Sequence, residues 1–302
     1  MIYLSLFNGI SAGRLALSRA EIKFDKYYIA EIDKFANKVS EFYYPDNIQL
    51  GDVNNWREWE IDWSDVGLVT AGFPCQSWSL AGKQLGDKDE RGKLFWTTLE
   101  IMSHALENNP YAKFMLENVK MKKEFEEYIT LHTERALGYV NKTLINSSLL
   151  SAQNRQRYYW TNFEVSQPED KGVLLSDIII SDDGVECGAI RGRYNNDGTT
   201  SQKLEIRHGG KTNSLTTVQK DNVIVFKDNN YRNFTPTECA RLQTFPDGWC
   251  ENIVSNSQSY KCYGNAWTVD VIAHIFKCAY RENKHEAIRP AVNYEQSCSA
   301  NI

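Results

Sequence analysis

The first half of the chain alternates short apolar runs with segments of helical periodicity. Apolar or β-branched runs bounded by turn residues, typical of buried strands, lie at 2–7, 26–32, 47–53, 66–72 and 113–119. Helical patterns lie at 12–20, at 93–108 and around Phe35, Val39 and Phe42, whose spacing places them on one helix face. This alternation predicts an α/β fold, with a doubly wound, mostly parallel sheet covered by helices on both faces.

The pattern changes from about Gly172. The stretch 186–233 is rich in Gly, Asn and Thr, lacks helical periodicity and carries more basic than acidic residues. It fits short strands and loops with a basic surface, or equally an exposed insert. A helix returns at 235–243, where Thr235 is an N-cap and Glu238 completes a capping box.

A closing helix is predicted over 265–280, and its packed stripe is made of Trp267, Val271, Ile275 and Cys278. The predicted organisation is therefore a first domain over 1–162, a smaller irregular or β domain over 163–233, a return to the first domain over 234–283 and a polar tail over 284–302.

Composition excludes several classes of protein. With 302 residues, 42% of them hydrophobic and 24% charged, the chain can bury a full core. The seven cysteines form neither a C-x-x-C pair nor a zinc-ligand spacing, so neither a disulfide framework nor a metal is expected. We expect no signal peptide, no membrane span and a cytoplasmic location in a bacterial or phage-infected cell. The net charge of −5 argues against polyanion binding by the whole surface and leaves room for a local basic groove.

Polar and glycine residues follow the first three predicted strands. Gly9, Ser11 and Gly13 lie between the first strand and its helix, where glycine allows close backbone approach to a ligand. Glu31 ends the second strand and Asp52 the third, positions from which carboxylates can accept hydrogen bonds from a ribose and an adenine amine. Together they favour an adenosine-bearing cofactor without saying which one.

The later strands end in reactive groups. Cys75 follows the fourth strand in a Pro-Cys-Gln sequence, and Glu117 lies at the end of the fifth. Arg155 and Arg157 alternate with polar neighbours, so on a strand they would point to one face. A buried cysteine and a plain ion pair are the structural alternatives. Together these residues indicate a site with a nucleophile, an acid and a cationic clamp.

Six motifs in order resemble the DNA cytosine-5 methyltransferases over nearly the whole chain. The resemblance is to phage and bacterial members, with features similar to the vertebrate de novo branch, such as the Trp of "NAW" and a serine at position 11. The motifs are "FNGISAG", "PCQ", "ENV", "QNRQR", "TECARLQTFPDGW" and "GNAWTVDVI".

The resemblance implies a covalent mechanism on a cytosine flipped out of double-stranded DNA. Cys75 would attack C6, Glu117 would hydrogen-bond N3 and the exocyclic amine, and the two arginines would hold the O2 side and either a phosphate or Glu117 itself. The methyl group would come from S-adenosylmethionine. The loop 76–92 would close over the base as a lid.

The resemblance also implies the binding residues. Glu31 would contact the ribose and Asp52 the adenine, in a fold of the Rossmann-like methyltransferase type. The remaining cofactor contacts would be Phe7, Gly9, Ile10, Ser11, Gly13, Ile32, Val53, Pro74, Asn265, Ala266 and Trp267. In the target-recognition domain, 163–233, and the lid, the candidates for DNA contacts are Ser77, Arg191, Arg193, Arg207 and Lys211.

The sequence leaves several alternative functions open. A transfer-RNA cytosine-5 methyltransferase of the same fold would keep the same motifs, although the glycine- and arginine-rich insert favours DNA. A non-catalytic DNA-binding relative has no need of Cys75, Glu117 and both arginines, and a nicotinamide dehydrogenase would leave them unexplained. The target sequence, the oligomeric state and the presence of a cognate restriction enzyme stay undetermined.

Overall fold

The structure is a computed structural model that describes residues 1–74, 90–180, 185–195 and 197–281. Within these ranges a seven-stranded sheet has the order β3-β2-β1-β4-β5-β7-β6. Its strands are β1 (Ile2–Leu6), β2 (Lys26–Ala30), β3 (Ile48–Gln49), β4 (Val66–Gly72), β5 (Lys113–Val119), β6 (Asn141–Asn146) and β7 (Gln156–Thr161). All neighbours from β3 to β5 pair in parallel, and β7 runs antiparallel to both β5 and β6. The predicted doubly wound, mostly parallel sheet is confirmed.

Alternate residues of the central strands enter two separate cores. On β1, Tyr3 packs into the core that contains α1, α2 and the C-terminal helix, whereas Leu4 packs into the core that contains α3 and α4. The helices are α1 (Ala12–Arg19), α2 (Lys34–Tyr43), α3 (Glu90–Asn108), α4 (Lys123–Leu137), α5 (Pro236–Leu242), α6 (Asn256–Asn265) and α7 (Val269–Ala279). Successive side chains of a strand point to opposite faces of the sheet, and both sets are apolar in these strands. Helices therefore cover both faces of the sheet.

The insert folds as a second, antiparallel sheet in the order β11-β10-β8-β9. Its strands are β8 (Glu186–Tyr194), β9 (Thr200–Arg207), β10 (Val223–Val225) and β11 (Tyr231–Asn233). They lie inside the range 163–233, whose exact boundaries as a domain stay a prediction. After this sheet the chain enters α5, which has the predicted Thr235–Glu238 capping box.

Three local predictions are wrong. The third strand covers only Ile48–Gln49 instead of 47–53, because the chain turns into a 3-10 helix at Val53–Glu58. Phe42 is 66% exposed, because the buried face of α2 is rotated towards Tyr43, which stacks on Trp249. Trp267 precedes the closing helix, because Thr268 is its N-cap.

Candidate active site

A cavity of about 540 Å³ opens at the carboxyl ends of the central strands. Parallel strands bring the residues that follow them to one edge of the sheet, which is where ligands bind in open α/β folds. The predicted residues that line it are Phe7, Gly9, Ile10, Glu31, Ile32, Asp52, Val53, Pro74, Glu117, Arg155, Arg157, Asn265 and Ala266. Sequence positions more than 200 residues apart therefore meet at this cavity.

The loop after β1 has an unusual backbone. Phe7, Gly9 and Ser11 have φ angles of 55°, 57° and 63°, in the left-handed region. A Cβ at Gly9 would have no atom within 4 Å, so this glycine leaves the cavity wall open to a ligand. The loop is held from behind by Trp249, whose Nε1 donates to the Ile10 carbonyl at 3.2 Å.

Ser11 and Gly13 support this loop and are absent from the cavity lining. The Ser11 side chain is fully buried, with its Oγ 2.7 Å from Ser40 Oγ and 3.0 Å from Asn8 Nδ2. At Gly13 a Cβ would lie 2.1 Å from the Tyr3 hydroxyl. Glycine is thus required at position 13 because α1 packs closely against Tyr3. At position 11, serine adopts a backbone conformation that glycine would adopt with less strain, but its hydroxyl forms buried hydrogen bonds that glycine could not form.

Two carboxylates face the cavity beyond this loop. Glu31 accepts hydrogen bonds from three backbone amides, those of Gly9, Ile32 and Asp33, each at 2.8 Å. Asp52 lies at the N-cap of the 3-10 helix instead of at a strand end, and accepts from the backbone and side-chain nitrogens of Asn54 at 2.9 Å. Both carboxylates are therefore held in fixed orientations.

Glu117 lies at the centre of the polar part of the cavity. It is 8% exposed, and its Oε1 lies 3.1 Å from Arg157 Nε. Its Oε2 accepts from Trp267 Nε1 at 2.9 Å. An ion pair between this acid and one of the arginines is thus present, as both the structural and the functional interpretation of the sequence allowed, and the tryptophan contact is one that sequence reasoning missed. Trp267 is absent from the cavity lining, where the cofactor prediction had placed it.

Arg155 and Arg157 have different surroundings. The Arg155 side chain donates to the carbonyls of Leu215, Gly264 and Ala266 at 2.7, 3.2 and 3.0 Å. Because these acceptors belong to the insert and to the α6–α7 connection, the buried guanidinium joins three distant parts of the chain. Arg157, by contrast, faces Glu117 and also lines a second cavity.

A buried polar network surrounds Arg155, and the sequence analysis did not identify it. Gln153 Nε2 donates to Gln243 Oε1 at 2.9 Å, and Thr268 Oγ1 donates to the same oxygen at 2.8 Å. Gln243 Nε2 in turn donates to the Tyr263 carbonyl at 2.7 Å. Buried glutamines within the motifs "QNRQR" and "RLQ", one in the loop before β7 and one at the end of α5, are the signal that predicts such a network.

The second cavity, of about 960 Å³, is a cleft between the main sheet and the insert. Its charged lining residues are Lys120, Arg157, Arg207 and Lys261, with no carboxylate among the described residues that line it. Arg157 and Lys261 line both cavities. Lys261 Nζ lies 2.6 Å from Asp33 Oδ2, a contact that raises the pKa of Lys261. Lys120 and Lys261 were missed because nothing local distinguishes them from surface lysines.

The predicted DNA-contact residues are dispersed. Arg207 lines the cleft, whereas Arg193 is paired with Glu205 at 2.5 Å and Arg191 lies 3.7 Å from the same carboxylate. Lys211 donates to the carbonyls of Ser148 and Ser151 at 2.7 and 3.2 Å. The Lys211 ammonium therefore binds the segment between β6 and β7 of the main sheet. Cys75, Ser77 and residues 76–89 of the proposed lid 76–92 lie outside the described residues, and residues 90–92 belong to α3.

Within the described ranges, no group of three or more His, Cys, Asp or Glu side chains has the arrangement of a metal site. In the same ranges, no helix has both the length and the apolar character needed to span a membrane.

Comparison with known proteins places the chain in a family. Residues 1–183 and 176–281 match the family described as C-5 cytosine-specific DNA methylase. The type II methyltransferase M1.ScrFI of Lactococcus lactis subsp. cremoris is 30% identical, over 89% of this chain and 75% of that protein. The type II methyltransferase M.HhaI of Haemophilus parahaemolyticus is 28% identical, over 90% of this chain and 92% of that protein.

Solved structures agree on the fold. A DNMT2 mutant of Spodoptera frugiperda has a TM-score of 0.65 at 19% identity, covering 92% of this chain and 99% of that one. The methyltransferase EhMeth of Entamoeba histolytica has a TM-score of 0.66 at 16% identity, covering 93% of this chain and 98% of that one. With the family match spanning nearly all of the described chain, this protein belongs to the C-5 cytosine-specific DNA methylase family.

Proposed function

We propose that this enzyme transfers a methyl group from S-adenosylmethionine to C5 of a cytosine flipped out of double-stranded DNA. The observation that carries the proposal is the position of Glu117. Its carboxylate lines the cavity at the strand ends and pairs with Arg157, which lines both that cavity and the basic cleft. An acid in that position can contact a base from the cleft and a cofactor in the cavity at the same time.

The residues of the cavity fit S-adenosylmethionine. Glu31 and Asp52 offer carboxylate oxygens to ribose hydroxyls and an adenine amine, and Ile32, 74% exposed, offers an apolar surface for a base. Gly9 leaves space beside the methionine end. When bound, this cofactor supplies an electrophilic methyl group.

In this proposal, Cys75 and Glu117 carry out the chemistry on the base. Pro74 and Glu117 both line the cavity, and Cys75 follows Pro74 directly in the sequence. Attack of the Cys75 thiolate on C6 would turn C5 into an enamine-like nucleophile for the methyl group. Loss of the C5 proton and elimination of the thiolate from C6 would then restore the cytosine ring and release the enzyme. Glu117 would hydrogen-bond N3 and the exocyclic amine as charge develops, and Arg157 would keep that carboxylate oriented.

The cleft supports a nucleic-acid substrate. The cleft lining has four cationic side chains and no carboxylate among its described residues. Two of the cations, Arg157 and Lys261, are paired with carboxylates of the neighbouring cavity, so Lys120 and Arg207 would contribute most of the attraction for phosphates, despite the net charge of −5. Since C5 and C6 are inaccessible in a stacked duplex, the base must leave the stack to reach Glu117.

Covalent trapping tests the proposal. Fluorine at C5 cannot leave as a cation, so DNA that contains 5-fluorocytosine should hold the enzyme covalently after methyl transfer. A complex that survives denaturing electrophoresis is expected only when S-adenosylmethionine is present. The target sequence is unknown, so the probe is heavily substituted genomic DNA, with substituted structured RNA run in parallel.

Two variants make the test specific. Cys75→Ser should give no complex, because a serine hydroxyl has almost no anion population near neutral pH. Glu117→Gln should trap more slowly, because the amide still hydrogen-bonds the base but cannot supply a proton. Undiminished trapping by Cys75→Ser would remove that thiol from the mechanism, and trapping on RNA alone would replace DNA as the substrate.

A further inference from the structure

Both oxygens of the Glu117 carboxylate are occupied by donors from the protein. Arg157 approaches Oε1 from β7 at 3.1 Å, and Trp267 Nε1 donates to Oε2 at 2.9 Å from the connection between α6 and α7. One donor allows a carboxylate to rotate about its terminal bond, whereas two donors on different oxygens define its plane. One lone pair on each oxygen is left for a bound base.

The indole is held in this position by close packing. Gly72 pairs with Glu117 across β4 and β5, and a Cβ there would lie 2.7 Å from Trp267 Nε1 and 3.0 Å from Glu117 Oε2. A Cβ at Gly13 would lie 3.5 Å from the other end of the same ring. A glycine at the end of β4 and a glycine in the first turn of α1 thus create the space that the indole fills.

The backbone on either side of Trp267 is also fixed. The Ala266 carbonyl accepts from Arg155 at 3.0 Å and from Gln243 at 3.0 Å, and the Thr268 hydroxyl bonds Gln243 at 2.8 Å. All these groups are buried, so the direction of the indole N–H is determined by a network that no solvent interrupts.

We propose that Trp267 is a positioning residue that orients the Glu117 carboxylate for the cytosine ring. The inference rests on the proposed function, in which Glu117 contacts the base. In this role the indole orients the Glu117 carboxylate and does not form the wall of the cofactor cavity. Trp267 is absent from the lining of that cavity.

The Trp267→Phe variant tests the proposal, because it removes the N–H and keeps most of the ring. The loss of a hydrogen bond to a charged group should lower the single-turnover methylation rate about tenfold or more. Binding of S-adenosylmethionine, measured by calorimetry, should change less than about threefold. The matched control is Trp160→Phe. Trp160 of β7 donates its indole N–H to Thr130 of α4 in the core on the other face of the sheet, so its loss should leave the rate unchanged.

A double-mutant cycle separates positioning from packing. If Trp267 acts through the carboxylate, Trp267→Phe should have a much smaller effect on the trapping rate in a Glu117→Gln background. Equal losses in both backgrounds, or a weakened cofactor affinity with an unchanged rate, would overturn the inference. A wild-type protein that neither methylates nor traps would instead refute the proposed function.

Gly72→Ala provides a second test should Trp267→Phe fail to fold. The added methyl group would separate the indole from Glu117, so the same loss of rate is expected with the tryptophan still present. An unchanged rate in this variant would also overturn the inference.

Discussion

At the scale of single residues, the candidate site depends on side chains whose hydrogen bonds are already made within the protein. Glu31 illustrates this, because its carboxylate accepts three backbone amides before any ligand binds. One of these amides belongs to Gly9, in the loop that follows β1. Glu31 therefore both offers oxygens to a ribose and holds the loop that follows β1.

The Glu31→Gln variant should weaken S-adenosylmethionine binding about tenfold or more, since an amide cannot accept with both of its ends. Calorimetry on the purified protein measures the change. Glu41→Gln, an exposed position on α2, is the control and should bind as the wild type does. An unchanged affinity in Glu31→Gln would show that this carboxylate contacts no cofactor.

At the scale of elements, α5 connects the insert to the main domain through one buried carboxylate. Both oxygens of Glu238 accept from Arg232 at 2.8 Å, and the amides of Thr235 and Ile180 donate to them as well. Burial alone would raise the pKa of Glu238, but these donors outweigh it and keep the pKa below its usual range.

Stability should therefore depend on pH through Glu238. Its contribution is complete above the unfolded pKa of about 4.3 and is lost as the pH falls through the lower folded value. Glu238→Gln should lower the free energy of unfolding by about 2 to 4 kcal/mol near pH 7, with a smaller difference from wild type near pH 3. Urea titrations at both pH values measure this.

Asp247→Asn, which breaks a largely exposed pair with Arg241, is the control and should cost less than about 1 kcal/mol. A Glu238→Gln deficit that does not shrink on acidification would contradict the assignment of this carboxylate as the ionised partner of Arg232.

At the scale of the whole molecule, the two cavities adjoin each other. They share Arg157, Lys261 and Asn265, which come from β7 and α6. Lys120 lines the cleft from the residue after β5 of the main sheet, and Arg207 from the end of β9 in the insert. A duplex bound there would contact both domains, so its affinity should depend on charges from each.

Lys120→Ala and Arg207→Ala should each make the salt dependence of DNA affinity shallower, by about one unit of slope in log K against log salt for each lost phosphate contact. If Arg207 reads a guanine edge, its variant should also relax the methylated sequence. Lys38→Ala, at an exposed position on α2, is the control. Unchanged salt slopes for Lys120→Ala and Arg207→Ala would place the DNA elsewhere.

Lys211→Ala should instead lower stability, because the Lys211 ammonium donates hydrogen bonds to the Ser148 and Ser151 carbonyls.

Local pattern alone was sufficient for much of this protein. The runs 66–72 and 113–119 are strands with the predicted bounds, and the capping box of α5 is where Thr235 and Glu238 predict it. These features depend on neighbours within a few residues, so sequence determines them directly. The motifs and the predicted strand ends together identified about half of the described residues that line the cavity.

Tertiary structure alone decided the roles that depend on distant partners. Arg155 and Arg157 are two residues apart and similar in sequence context, yet one binds three carbonyls of other segments and the other faces Glu117. Trp267 has the spacing of a helical stripe but lies before the helix, with its indole on Glu117. The physical reason is that a hydrogen bond across 150 residues depends on how packed elements meet, which no local periodicity encodes.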